Sequence, residues 1–188
     1  THYIISTDSY KIKNISIAAG AEVPFIRPKN LAKDNSSSVS ALLHAVKWME
    51  KHNQIKYDYI IEIMCTNPLK NYLDINKSIK KIIRTKADTV IAMHKLEDHH
   101  PSRIKKIFND KIKNFCISEK TESRRQDLKP YAYIRSGSIY CIDRNYLFKR
   151  KKRYGSKNSR PYILPSPRAI NIDNKYDFLI AKEILRSK

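Results

Sequence analysis

The sequence predicts an α/β fold with a mainly parallel sheet. Three observations lead there. Short apolar runs at residues 2–6, 22–26, 57–64 and 88–93 alternate with stretches of helical periodicity. The run YDYIIEIM at 57–64 is apolar almost throughout, as in a strand covered on both faces. The 188 residues suit one domain, with no internal repeat and no composition break that marks a second.

Each element has a local reason. The first run ends at Ser6-Thr7-Asp8, and Ile12, Ile15 and Ala19 then recur at helical spacing up to Gly20. Pro24 makes the run 22–26 an edge strand or a strand start. Residues 27–38 are rich in Pro, Asn and Ser and read as a loop. A helix over 39–51 puts Val39, Leu42, Leu43, Val46 and Met49 on one face, with the serines at 36–38 as N-caps. Nothing local explains Glu62 inside its strand. The loop Cys65-Thr66-Asn67-Pro68 follows, then a helix over roughly 71–86 with Ile75, Ile79, Ile82 and Ile83 on one face. Residues 94–130 are polar, basic and irregular, with short strands at 103–108 and 112–117, and read as an insertion. Residues 131–142 are β-rich. The expected end is a strand at 169–172 and a helix over 174–186 with Phe178, Ala181, Ile184 and Leu185 inward.

Composition excludes several function classes. The three glycines are too far apart for a glycine-rich phosphate cradle. Three widely spaced cysteines form no CxxC pair and no disulfide framework, which fits a reducing cytoplasm. No apolar run approaches a membrane span, and the first residues lack a signal peptide's basic start. Lys and Arg total 38 against 18 Asp and Glu, a formal charge of +20. The cations are spread along the chain, and the densest run, 149–153, is short. A nucleic-acid surface is usually a focused basic stripe, so a basic nucleic-acid-binding protein is an alternative reading rather than the leading one.

In open α/β sheets ligands meet the carboxyl ends of the strands. That rule brings Arg27, the serines at 36–38, Asn171 and Asp173 to one rim. Each also has a plain structural explanation: serines and Asp173 as helix caps, Arg27 as half of a surface ion pair. His99-His100 reads as exposed histidines, and Arg124-Arg125 as a solvated face.

The combination carries more than its parts. The segments STDS, GAEVPFIRPKNLAKDNSSS, LLHAVKW, CTNPLK, EDHHPSRIKKI, RRQDLKPYAYIRSGSIY and PRAINIDNKYDFLIAKEIL occur in this order along the chain. Together they resemble the acylneuraminate cytidylyltransferases, the CMP-sialic and CMP-legionaminic acid synthetases. The resemblance implies a Rossmann-like α/β sheet of the nucleotide-diphospho-sugar transferase type. It also implies a β-rich dimerisation and sugar-binding insertion, here 94–130, and a homodimer. The implied enzyme is a cytoplasmic cytidylyltransferase using Mg2+. It moves CMP from CTP to a nine-carbon keto sugar acid and releases pyrophosphate.

By resemblance, Arg27, Ser36 and Ser38 contact the nucleotide. Arg103 and Arg125 stand at the two cationic positions for the sugar carboxylate, and Asn171 and Asp173 at the metal pair. The sequence departs from the family at three places. Asn171 replaces the first metal aspartate. Met64 stands at a substrate-contacting glutamine, and Ser136 replaces an asparagine. The family's N-terminal block, with the first strand, the CTP phosphate loop and the catalytic lysine, has no counterpart here. On that expectation no catalytic residue lies in these 188 residues, and the chain alone is weakly active or inactive. A non-catalytic remnant that dimerises or binds a partner is the other alternative.

Overall fold

A computed structural model describes residues 1–120 and 124–187; residues 121–123 of the expected insertion lie outside the described residues. The helices are α1 (Tyr10–Ala18), α2 (Ser38–Asn53), α3 (Tyr72–Thr85), α4 (Arg144–Arg150) and α5 (Lys175–Arg186). The strands are β1 (Tyr59–Ile63), β2 (Thr89–Lys95), β3 (Lys105–Phe108), β4 (Lys111–Asn114), β5 (Tyr133–Asp143) and β6 (Ser159–Ile163). Four of them form a sheet in the order β1-β5-β2-β6, and β3 pairs with β4 in a separate hairpin.

The sheet is mixed around one reversed strand. β2 and β6 are parallel, from Thr89 opposite Ser159 to Met93 opposite Ile163. β5 runs against its neighbours: Met64 N–H bonds to the Ser138 carbonyl and Arg144 N–H to the Asp58 carbonyl, so numbers rise on one strand as they fall on the other. The bond from Leu96 N–H to the Ala132 carbonyl and that from Ser136 Oγ to the Ala92 carbonyl follow the same sense. The other three strands therefore share one direction, as the α/β pattern requires.

The chain divides into two compact units. The first comprises Thr1–Glu62 and Ile142–Gly155. Its opening runs pair in parallel only at single bridges, Ile4 with Glu22 and Thr7 with Ile26, joined through α1. α2 begins at Ser37, whose hydroxyl accepts Ser40 N–H at 3.1 Å. Arg144 on α4 forms a two-point ion pair with Glu50 on α2, at 2.6 and 2.8 Å. Glu62, unexplained by its sequence context, pairs with Arg153 at 2.7 Å.

The second unit comprises Ile63–Cys141 and Ser156–Lys188. Its apolar centre includes Ile82, Val90, Ala92, Ile139, Cys141 and Leu164, each under 2 % exposed. Helix α3 starts with a reciprocal capping box between Asn71 and Asp74. Asp74 itself is 1 % exposed. Its carboxylate accepts Tyr162 Oη at 2.8 Å, Arg168 Nη2 at 2.8 Å and Nε at 3.2 Å, and Asn71 N–H at 2.9 Å.

Several expectations are corrected. The opening runs 2–6 and 22–26 make single bridges rather than strands, being too short and too little paired for a ladder. Residues 169–172 form no strand; the edge strand is β6, which the sequence hid because Pro161 lies in its middle. Pro is tolerated there since an edge strand has one unpaired side. Helix α4 was also not anticipated, because seven residues give too little periodicity. On α3 the buried line runs through Asp74, Ser78 and Ile82, while Ile83 is 52 % exposed. On α5 only Ala181 of the expected inward face is buried, and Phe178 and Leu185 are about half exposed. An apolar stripe records which face avoids water, not whether this chain covers it.

Burial raises the Asp74 pKa, but Arg168, the Asn71 amide and the Tyr162 hydroxyl outweigh it and hold the carboxyl below its usual range. Its stabilisation is therefore present above about pH 4 and lost as pH falls through the folded pKa. Asp74→Ala should cost about 3–5 kcal/mol by stranding Arg168 and Tyr162. Asp74→Asn should flatten the acid limb of a melting-temperature-against-pH curve; an unchanged limb would remove Asp74 as its source.

Candidate functional site

In the second unit, the loop after β1 holds the segment that carries Asn171 and Asp173. Asn67 is fully buried, and its Nδ2 donates to the Ile170 carbonyl at 2.8 Å. Ile172 N–H donates to the Thr66 carbonyl at 2.8 Å. Lys70 folds back onto the same loop, donating to the carbonyls of Met64 and Asn67. Burial lowers its pKa.

Asn171 and Asp173 meet directly. Asn171 Nδ2 donates to both carboxylate oxygens of Asp173 at 2.8 Å. This leaves Asn171 Oδ1 buried with no hydrogen-bond partner among the described residues. Gly137, at φ +67°, lies beneath it; a Cβ there would come within 3.9 Å of that oxygen. An amide oxygen and a carboxylate are the hard-oxygen donor types that suit Mg2+, although here it is the amide nitrogen that faces the carboxylate. No group of three or more His, Cys, Asp or Glu at metal-binding spacing exists among the described residues.

Arg103 and Arg125 line one cleft of about 170 Å³. Lys95, His100 and Tyr131 line it as well. Arg103 stands 3.4 Å from Glu119 Oε1, and Lys105 3.0 Å from the other oxygen. The Tyr131 ring faces Lys129 Nζ at 3.2 Å and Lys95 Nζ at 4.0 Å. The nearby Lys129 cation lowers its phenol pKa. Ser136 turns away into the sheet: its hydroxyl donates to the Ala92 carbonyl at 3.1 Å and lies 2.6 Å from Ser138 Oγ.

In the first unit, Arg27 Nη2 donates to Asp8 Oδ1 at 3.2 Å. His44 on α2 lies in its field, and burial and the Arg27 charge together lower the His44 pKa. Phe25 packs edge-on against His44 at 4.9 Å between ring centres. Ser36 Oγ accepts Lys33 N–H and donates to the Asn30 carbonyl, bracing its own loop, while Ser38 opens α2.

With this geometry in hand, the whole chain can be compared with known proteins. Flagellin modification protein B of Campylobacter coli is 27% identical over 192 residues, covering 100% of this chain and 78% of that protein. A pseudaminic acid cytidylyltransferase of Campylobacter jejuni is 28% identical over 186 residues, covering 95% and 75%. A CMP-N,N'-diacetyllegionaminic acid synthase of the same species is 26% identical, covering 100% and 78%. Along most of its length the chain is similar to cytidylyltransferases and synthases acting on sugar acids of this kind. No family model matches it. The solved structure of CMP:2-keto-3-deoxy-manno-octonic acid synthetase with CTP aligns at a TM-score of 0.62 and 16% identity, over 97% of this chain and 82% of that one. At that identity it bears on the fold alone, and it agrees with the nucleotidyltransferase type of sheet.

Sequence reasoning missed Asn67, Lys70 and His100, whose importance lies in bonds to distant backbone. The one available signal was a buried-type polar residue next to a proline, at Asn67-Pro68 and His100-Pro101. Cys65 and Cys116 are exposed thiols, whereas Cys141 is fully buried and its pKa is pushed up to about 12 by burial. A native thiol-reagent titration should therefore count two fast groups and a third only after unfolding. Three fast groups would contradict the packing of β5.

Proposed function

We propose that the protein transfers CMP from CTP to a nonulosonic acid of the pseudaminic, legionaminic or sialic type. The sugar's anomeric oxygen bonds to the α-phosphorus of CTP as the bond from that phosphorus to the pyrophosphate oxygen breaks. The hydroxyl proton is released to solvent water. The observation that carries this reading is the cleft in which Arg103 and Arg125 lie together. Two guanidinium groups in one small cleft suit a planar carboxylate, the invariant part of such sugars.

Arg27, Ser36 and Ser38 are the nucleotide contacts in this reading, with His44 a neutral neighbour of Arg27. Asn171 and Asp173 hold Mg2+. The ion offsets the charge of the phosphates and of the acid, which otherwise repel. Asn171 in place of a second carboxylate weakens that hold. The catalytic lysine is not assigned to any residue of this chain. The hairpin β3–β4 exposes Ile107, Phe108 and Ile112, at 78, 59 and 77 %, and this supports the role of 94–130 as the dimerising insertion of one cytidylyltransferase domain. Among the described residues no helix is long and apolar enough to cross a membrane. A CTP-consuming reaction and three unpaired thiols suit a cytoplasmic homodimer.

Incubation of the full-length protein with CTP, Mg2+ and each acid in turn, following pyrophosphate, tests the activity, since this chain alone is expected to be weakly active or inactive. Product with none of the acids would sink the reading. Arg103→Ala and Arg125→Ala should each raise the KM for the acid about 10- to 100-fold while leaving that for CTP nearly unchanged. A rise in the CTP KM instead would move these arginines to the nucleotide.

The metal pair has its own test. Asn171→Asp sets two carboxylates together, so melting without Mg2+ should fall below wild type and recover as Mg2+ is added, with about tenfold tighter binding. Asp173→Ala should abolish the response. Equal Mg2+ responses in wild type and both variants would remove this pair from metal binding.

A further inference from the structure

Two stretches of chain wall the cleft that contains the arginines. One is the turn Pro101–Arg103; the other is residues 125–131. His100 bonds to both. Its Nε2 lies 3.0 Å from the Pro130 carbonyl oxygen. Its Nδ1 accepts Ser102 N–H at 3.3 Å and lies 2.9 Å from Ser102 Oγ. A carbonyl oxygen has no proton to give, so Nε2 must carry one. The Ser102 amide must find an acceptor, so Nδ1 must carry none. The two contacts together select the neutral Nε2–H tautomer. Ser102 is only 6 % exposed, so its amide has little access to water as a substitute acceptor.

Other bonds of these stretches lead elsewhere. Lys105 Nζ to the Ser102 carbonyl at 3.0 Å, and Cys116 Sγ to the Pro101 carbonyl at 3.7 Å, fasten the first wall to the hairpin side. The bond from Leu96 N–H to the Ala132 carbonyl anchors the second wall to the sheet. The His100 ring joins wall to wall.

We infer that His100 is a positioning residue for acid recognition: its ring, as the Nε2–H tautomer, sets the spacing between the Arg103 turn and the Arg125 segment. It touches no reacting atom. The inference rests on the reading of the cleft as the sugar-acid site.

Two isosteres separate its bonds. Gln places an amide N–H near the Nε2 position and keeps the bond to Pro130; Asn places an oxygen near the Nδ1 position and keeps only the cap of the turn. The purified full-length protein is assayed for acid KM, CTP KM and kcat, with melting temperature alongside. His100→Asn and His100→Ala should raise the acid KM roughly tenfold with the CTP KM unchanged, while His100→Gln stays within about threefold of wild type. Wild-type behaviour in His100→Asn with loss in His100→Gln would reduce His100 to a cap and overturn the inference, as would an unchanged acid KM in His100→Ala. Imidazole 15N spectra, which need no activity, should show His100 protonated at Nε2 alone; an Nδ1–H tautomer would also overturn it. If the wild-type protein uses no acid while its spectra show the Nε2–H ring, the functional reading fails and the wall-to-wall bond stands.

Discussion

The buried carboxylate of Asp74 is the interaction on which the second unit depends. It caps the start of α3, accepts the Tyr162 hydroxyl of β6 and receives the Arg168 guanidinium from the turn that leads to Asn171. A charge held almost entirely out of water is tolerated only when every lone pair is used. This one meets that condition with donors from three separate stretches of chain. The same demand that keeps the ion satisfied thus fixes the edge strand, the helix beside it and the run of chain leading to Asn171 and Asp173.

The rim loops repeat this logic with weaker groups. Asn67 and Thr66 hold the 170–172 segment through backbone bonds, and His100 holds the cleft walls in the same way. Side chains that bond to carbonyls and amides far along the chain decide where the charged groups sit. Relatives with the same charged residues and different supports would hold the same chemistry at different spacings, which is a physical route to discrimination among related acids.

Departures from the family pattern look less severe once seen in place. Asn171 spends its amide protons on Asp173 and keeps its oxygen unspent. Ser136 finds its partners in the sheet and not in the cleft, so its difference from asparagine acts on packing between β5 and β2. Gly137, one of only three glycines, occupies a left-handed backbone position directly under Asn171, where a side chain would be strained.

By itself the sequence determined the alternation of strands and helices from α2 to β2, the family resemblance and the identity of the charged residues. These follow from periodicity and from order along the chain. It also read residues 94–130 as irregular and polar, and within them lies the hairpin turning at Asn109-Asp110, both at positive φ. Only the tertiary structure decided that Arg103 and Arg125 share a cleft, that Glu62 and Asp74 have partners 91 and 94 residues away, and that β6 exists despite its proline. The reason is range. Hydrophobic periodicity is written in neighbours, whereas the satisfaction of a buried charge or amide is settled by whichever distant group folding brings within three ångströms.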